Sequence, residues 1–175
     1  MKHIFIFLAV LICLKGISQK AYTLSQESKM EIAGTSTIHD WTVVAHTLEG
    51  TLETTEGKPT AIRFAVKVAD LKSERGAVMD KKTHNALKKD LHPEVTFNLK
   101  AINTANTIEG VLSMAGITKT IEIPTEIIDS GGAIKISGEY PITLQDWEID
   151  PPSAMFGQIV VGDAVTVKFD LLFSN

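Results

Sequence analysis

The stretch "AIRFAVKVADL", Ala61 to Leu71, decides the fold class. Ile62, Phe64, Val66 and Val68 are apolar, and Arg63 and Lys67 fall between them. On an extended chain successive side chains point to opposite faces, so this segment has one dry face and one wet face. The same period of two recurs to the C-terminus. In "PEVTFNLKA" Val95, Phe97 and Leu99 alternate with Thr96, Asn98 and Lys100. "TIEIPTEII" sets Ile121, Ile123 and Ile127 against Glu122 and Glu126. "AIKISGEYPITL" sets Ile134, Ile136, Tyr140, Ile142 and Leu144 against Lys135, Ser137 and Glu139. "VTVKFDLLF" ends the series with Val165, Val167, Phe169, Leu171 and Phe173. One-sided strands of this kind build antiparallel sheets curled around an interior.

Turn residues separate the strands at Glu56-Gly57-Lys58-Pro59, Asn103–Asn106, Ala115-Gly116, Ser130-Gly131-Gly132 and Asp150-Pro151-Pro152. A spacing of roughly 10 to 15 residues between them predicts about eight strands. Gly50, Gly110 and Gly138 fall inside strand runs, where glycine marks a bulge or a sharp bend. Closure into a barrel removes exposed edges and suits such bends. The expected fold is all-β, an antiparallel extended barrel of about eight strands. One segment breaks the alternation. "DKKTHNALKK" predicts a short helix over Asp80–Lys89, capped by Asp80, with lysines near its end and His92-Pro93 as the stop.

At the N-terminus Lys2 and His3 precede an eleven-residue apolar run, Ile4–Leu14, too short to span a bilayer. Gly16-Ile17-Ser18 follows as a small-x-small site. This is the pattern of a secretory signal peptide over residues 1–18, with Gln19 first in the mature domain 19–175. A periplasmic or secreted location is therefore expected. Cys13, the only cysteine, lies inside the apolar run after Ile12, where a lipoprotein site needs a small residue. The mature chain is cysteine-free, so its core must hold it together without disulfides. Removal of Lys2 and Lys15 leaves 15 of the 17 basic residues against 21 acidic ones, a net charge of −6. No basic cluster is interleaved with aromatics, which argues against a nucleic-acid partner. Nor is there a basic amphipathic segment of the kind that lies on anionic membranes, and an integral membrane protein is not expected. A homodimer stays open.

The segment "GTSTIHDWTVVAHTLEG", Gly34–Gly50, holds hydrolase-type residues in Ser36, His39 and Asp40. A nucleophilic serine needs a base within hydrogen-bond reach and an oxyanion hole. His39 and Asp40 are adjacent, and adjacent strand residues face opposite ways. The preferred reading is a polar turn at the lip of a container, with Trp41 and Trp147 packing at a barrel end. His39, His46, His84 and His92 show no metal-ligand spacing, and no thiolate is available, so neither a metal nor another cofactor is expected. His46 shares strand parity with Val44, Leu48 and Leu52, which makes it the candidate polar point of an apolar interior. Alternation alone leaves two states open: a barrel filled by its own side chains, or one that holds a ligand.

Longer motifs narrow this. "EGVLSMAGITKTIEIP", Glu109–Pro124, resembles the Gly-x-Leu-x-x-x-Gly-x-Thr-Lys-x-x-x-Leu/Ile-Pro hallmark of YceI-like proteins. "LKKDLHPEVTF" resembles that family's passage from helix to strand, and "VADLKSERGAVMDKKTHNAL" its strand-to-helix connection. "LQDWEIDPPSAMFGQIVVGDAVTVKFDL" is similar to its closing segment. The likeness runs over about residues 22–174. It lacks the longer aromatic-rich start of many members, where "IHDW" stands instead. The resemblance implies a lipocalin-like barrel in the periplasm or outside the cell, binding a polyisoprenoid or similar long-chain lipid lengthwise and without catalysis. The family supplies no small invariant catalytic set. The inward residues expected to meet such a lipid are Ile62, Phe64, Val66, Val95, Phe97, Leu99, Leu112, Met114, Ile121, Ile123, Ile134, Ile136 and Phe169, with His46. The alternative is a filled barrel acting as a secreted interaction or stress-response module.

Overall fold

The structure, a computed structural model, describes residues 18–103 and 107–175. The expected signal segment up to Ile17 and part of the Asn103–Asn106 turn lie outside the described residues. The strands are β1 (Gln19–Leu24), β2 (Lys29–Ser36), β3 (Trp41–Ala45), β4 (Leu48–Thr55), β5 (Lys58–Lys67), β6 (Leu71–Ser73), β7 (Glu94–Ile102), β8 (Thr107–Met114), β9 (Ile117–Asp129), β10 (Ala133–Thr143), β11 (Ser153–Ala154) and β12 (Ile159–Ser174). A single α-helix among the described residues, α1, spans Ala77–Ala86.

These pieces make a closed antiparallel barrel of eight staves. Three staves are broken strands: β1 continues into β2, β3 into β4, and β5 into β6. The breaks show in the pairing, where β4 lies between β1 and β5 while β3 lies between β2 and β6. From β5 the ladder passes through β7, β8, β9 and β10 to β12. The last strand closes the ring by pairing β2, as in Phe169 with Met30, and β1, as in Leu24 with Phe173. Among the described residues of the ring only β6, at the end of the path, pairs on one side, so closure removes most of the edge that would template aggregation.

Each break has a local cause. At Ser25–Ser28 a turn closes with the Ser28 amide donating to Ser25 O at 3.1 Å. Across it, the Leu172 amide donates to Ser28 Oγ at 3.0 Å, and Leu172 O accepts from the Ser25 amide at 2.7 Å. A serine hydroxyl thus completes the ladder where the backbone departs from it. At the second break the His46 amide donates to Asp70 O at 3.1 Å. At the third, Val68–Asp70 forms a 3₁₀ turn whose Val68 amide donates to Pro93 O at 2.9 Å. Two hairpins are tight, with left-handed residues at Glu56-Gly57 and Ala115-Gly116, as two-residue loops of this hand require.

The helix begins and ends earlier than Asp80–Lys89. Gly76, at φ +86°, precedes its first residue, and Asp80 sits in its first turn rather than at its cap. The Asp80 carboxylate instead accepts the Ser73 amide at 2.7 Å and faces Lys72 Nζ at 3.7 Å. The chain leaves the helix after Ala86, and Lys88 turns left-handed at φ +53°. With the His84 ring Nε2 3.0 Å from Leu71 O, these contacts fasten α1 against β6 at one end of the barrel. The other end is packed solid. Phe173, Leu52, Ile134 and Tyr22 are buried there, joined by the register pairs Ile134–Phe173 and Tyr22–Leu52.

Of the strand glycines, Gly110 marks a bulge: it pairs Leu99 at the Leu99/Ala101 register shift, whereas Gly50 and Gly138 lie in regular register, away from the shifts at Glu53/Thr54 and Val161/Val165. Gly110 and Gly138 also lie beneath aromatic rings. A Cβ at Gly138 would stand 2.7 Å from Pro124 O and 2.9 Å from Phe169 Cζ, and one at Gly110 would collide with the Phe97 ring. Gly34 gives the same room to Trp41. The rings rest on the wall because nothing projects from the backbone under them.

Candidate functional site

Above the packed end the barrel is hollow. The cavity measures about 420 Å³ and reaches the surface under α1, since Ile38, 60 % exposed, belongs to its wall. A volume of this size falls in the range of small-ligand sites.

The wall is apolar for most of its length. Ile62, Phe64 and Val66 of β5 face it, as do Val95 and Phe97 of β7, Leu112 and Met114 of β8, Ile121 and Ile123 of β9, Ile136 of β10 and Phe169 of β12. Three expected residues do not. Leu99 packs against the core but lies outside the cavity, at the register shift between Leu99 and Ala101. Ile134 points inward, yet it sits in the packed end beside Phe173, so its parity is right and its depth is wrong. His46 is exposed. The break between β3 and β4 reverses parity, so Val43 and Ala45 are buried on one side of it and Leu52 and Thr54 on the other.

The polar point of the cavity is His39 instead. It lines the wall near the mouth, and its Nδ1 is buried with no hydrogen-bond partner. Ser36 does not meet that ring. Its Oγ donates to His39 O at 2.7 Å and accepts the His39 amide at 3.3 Å, closing a local turn. Asp40 contributes its backbone carbonyl, which accepts from Arg75 at 3.4 Å. These contacts describe a lip rather than a nucleophile and its base. The Trp41 indole donates to Thr35 O at 2.9 Å while its ring lies over Gly34. Trp147 is buried outside the cavity, with Lys119 Nζ 5.2 Å from its ring centre. His84 pins the helix, and His92 packs against Gly116. Among the described residues no group of three or more His, Cys, Asp or Glu is placed to hold a metal ion.

Several wall residues carry no mark in the expected set. Met30 and Ile32 alternate within "KMEIAGTS", a strand signal that Gly34 and Ser36 blur. Tyr140, Val165, Val167 and Leu171 belong to alternating segments and needed only the depth of each strand to be assigned. Met79, Thr83 and Ala86 come from α1, whose role as a cover depends on tertiary placement. Tyr140 brings a phenol to the wall. Burial is the main cause that pushes its pKa above the ordinary 10.0, and the nearby charge of Asp146 adds to it.

The barrel is thus closed and antiparallel, packed at one end and hollow under a helix at the other. The sequence profile of the YceI-like domain matches residues 22–173, and the chain belongs to that family. Solved structures share the fold. BcnA of Burkholderia cenocepacia superposes with a TM-score of 0.70 at 19 % identity, over 83 % of this chain and 95 % of that one. A polyisoprenoid binding domain from Saccharophagus degradans, implicated in plant cell wall breakdown, gives 0.71 at 14 % identity, over 87 % and 97 %. The Campylobacter jejuni YceI protein gives 0.55 at 18 % identity, over 67 % and 74 %. A comparison with curated protein sequences found no match.

Proposed function

We propose that this protein binds an isoprenoid or similar long-chain amphiphile in its barrel, without catalysis, and carries or sequesters it in the periplasm or outside the cell. The observation that carries the reading is the wall itself: a deep apolar cavity closed at one end, with its polar groups gathered at the other. The neighbouring polyisoprenoid binding domain supports the choice of lipid class. An amphiphile enters tail first, because its apolar chain gains most at depth and its polar end finds His39 and water at the mouth. A strand of ten residues such as β5 spans about 33 Å, enough to sheathe a long tail. Burial of about 400 Å² of apolar ligand surface would contribute about 10 kcal/mol before ordering and association costs are subtracted.

Native mass spectrometry of protein purified from its natural compartment, followed by organic extraction, tests this. A stoichiometric long-chain lipid is the expected result. A protein that arrives empty and also takes up no added polyprenol refutes the reading.

A further inference from the structure

Resting on the lipid reading of the cavity, the mouth itself points to a partner. Three segments build it: the β2–β3 loop at Thr37–Asp40, α1, and the excursion from β11 to β12. Reciprocal bonds join the first to the third, with the Thr37 amide donating to Val160 O at 3.0 Å and the Val160 amide to Thr37 Oγ1 at 2.8 Å. Lys82 Nζ reaches from α1 to Ser153 O at 3.3 Å. Five of the seven exposed large apolar side chains among the described residues stand on these segments: Ile38, Val78, Met155, Phe156 and Val160. Phe156 is fully exposed at the tip of the excursion. Met155 (φ +49°), Phe156 (φ +55°) and Gly157 (φ +87°) are all left-handed, a strained conformation for the first two that persists only where the surroundings fix it. The tip stands out from the body, closed by the Gln158 amide donating to Met155 O at 3.2 Å.

Apolar groups concentrated around one opening mark a docking surface. Its charge says what docks. Arg75 and Lys82, both on the cavity rim, bond to backbone carbonyls and join none of the ion pairs among the described residues. The cavity lining holds these two cations and no Asp or Glu, and Asp40 is the one acid of the Thr37–Asp40 loop; cations in excess beside exposed Phe and Met side chains match an interface of anionic headgroups over acyl chains. We propose that this rim docks on an anionic bilayer surface, with Phe156 and Met155 entering the headgroup region and the cavity mouth held against it. Ala154 and Ile159 flank the tip and line the cavity, so an inserted tip sets the opening at the acyl boundary.

Vesicle flotation of the full protein tests this, with phosphatidylcholine vesicles and with vesicles containing added phosphatidylglycerol. The protein should float with the anionic vesicles and be released by salt. The double variant Met155→Ser/Phe156→Ser should lose about tenfold in partitioning while keeping its cargo in native mass spectrometry. Arg75→Gln/Lys82→Gln should lose the preference for anionic vesicles. If the unaltered protein ignores both vesicle types, or the Met155/Phe156 variant floats equally well, the proposal is overturned. Delivery of lipid only to an acceptor protein, with no flotation, overturns it as well. Flotation by a protein that takes up no polyprenol would uphold bilayer docking and refute the cavity reading instead.

Discussion

The ring of Phe97 fills the space above Gly110, its diagonal neighbour across the β7–β8 ladder, and a Cβ added at that glycine would collide with Cζ and Cε2 of the ring. The pair explains how a wall that carries Phe64, Phe97 and Phe169 stays hollow. A ring that lies on the wall thickens it, whereas a ring that points to the axis fills it. Gly138 likewise lies under the ring of Phe169, its direct partner in the β10–β12 ladder.

Gly110→Val should therefore push the Phe97 ring off the wall and into the lumen. Forced repacking of this kind costs about 1–3 kcal/mol, and polyprenol uptake should fall with the denaturation midpoint. Combining it with Phe97→Leu should recover part of both losses, since residues in contact are not additive. Equal uptake by the single variant would show that the ring does not set the width of the lumen.

Phe64 faces the cavity from the middle of the wall. A carboxylate there keeps its hydration in the hollow space, so Phe64→Glu should leave a folded barrel by circular dichroism. Polyprenol affinity should drop by about tenfold or more, because an apolar tail would have to strip that charge of water. Undiminished binding by the folded variant would remove the wall from the ligand site.

Tyr140 makes stability depend on alkaline pH. Its folded pKa lies above the ordinary 10.0, chiefly through burial. The folded state therefore holds its proton longer than the unfolded chain does. The stabilisation is complete below the unfolded value and is lost as pH rises through the folded one. Urea midpoints should fall between about pH 9 and about pH 11, and Tyr140→Phe should flatten part of that fall. An identical decline in the variant would assign it to other groups.

Asp80 holds α1 to the barrel through the Ser73 amide. Asp80→Ala leaves that amide without its partner, at a cost of about 1–3 kcal/mol. Hydrogen exchange over Ala77–Ala86 should quicken, and bound polyprenol should leave faster, because the helix lines the mouth. Faster exchange without faster release would separate the helix from ligand exit.

Much of this was legible in the sequence. The period of two placed Ile62, Phe64, Val66, Phe97 and Ile123 on the inner face, since pleat geometry leaves a strand no other choice. Depth was not legible. Ile134 and Ile136 read alike, yet one is sealed beside Phe173 and the other lines the cavity. Continuity was not legible either. The Ala45–Leu48 break reverses parity, so His46 turns out to solvent and His39 takes the polar position. The strand glycines were visible, but their meaning needed their cross-strand neighbours: room for a ring, which register alone reveals.

The packed end has one more consequence. With Phe173, Leu52 and Tyr22 sealing the base, the barrel is a pocket and not a tube. Nothing can be threaded through it, and whatever goes in first comes out last. Under the proposed reading, loading and unloading share one doorway, so source and destination cannot be engaged at once. If the protein carries its lipid, it must let go of one site and turn before it meets the next.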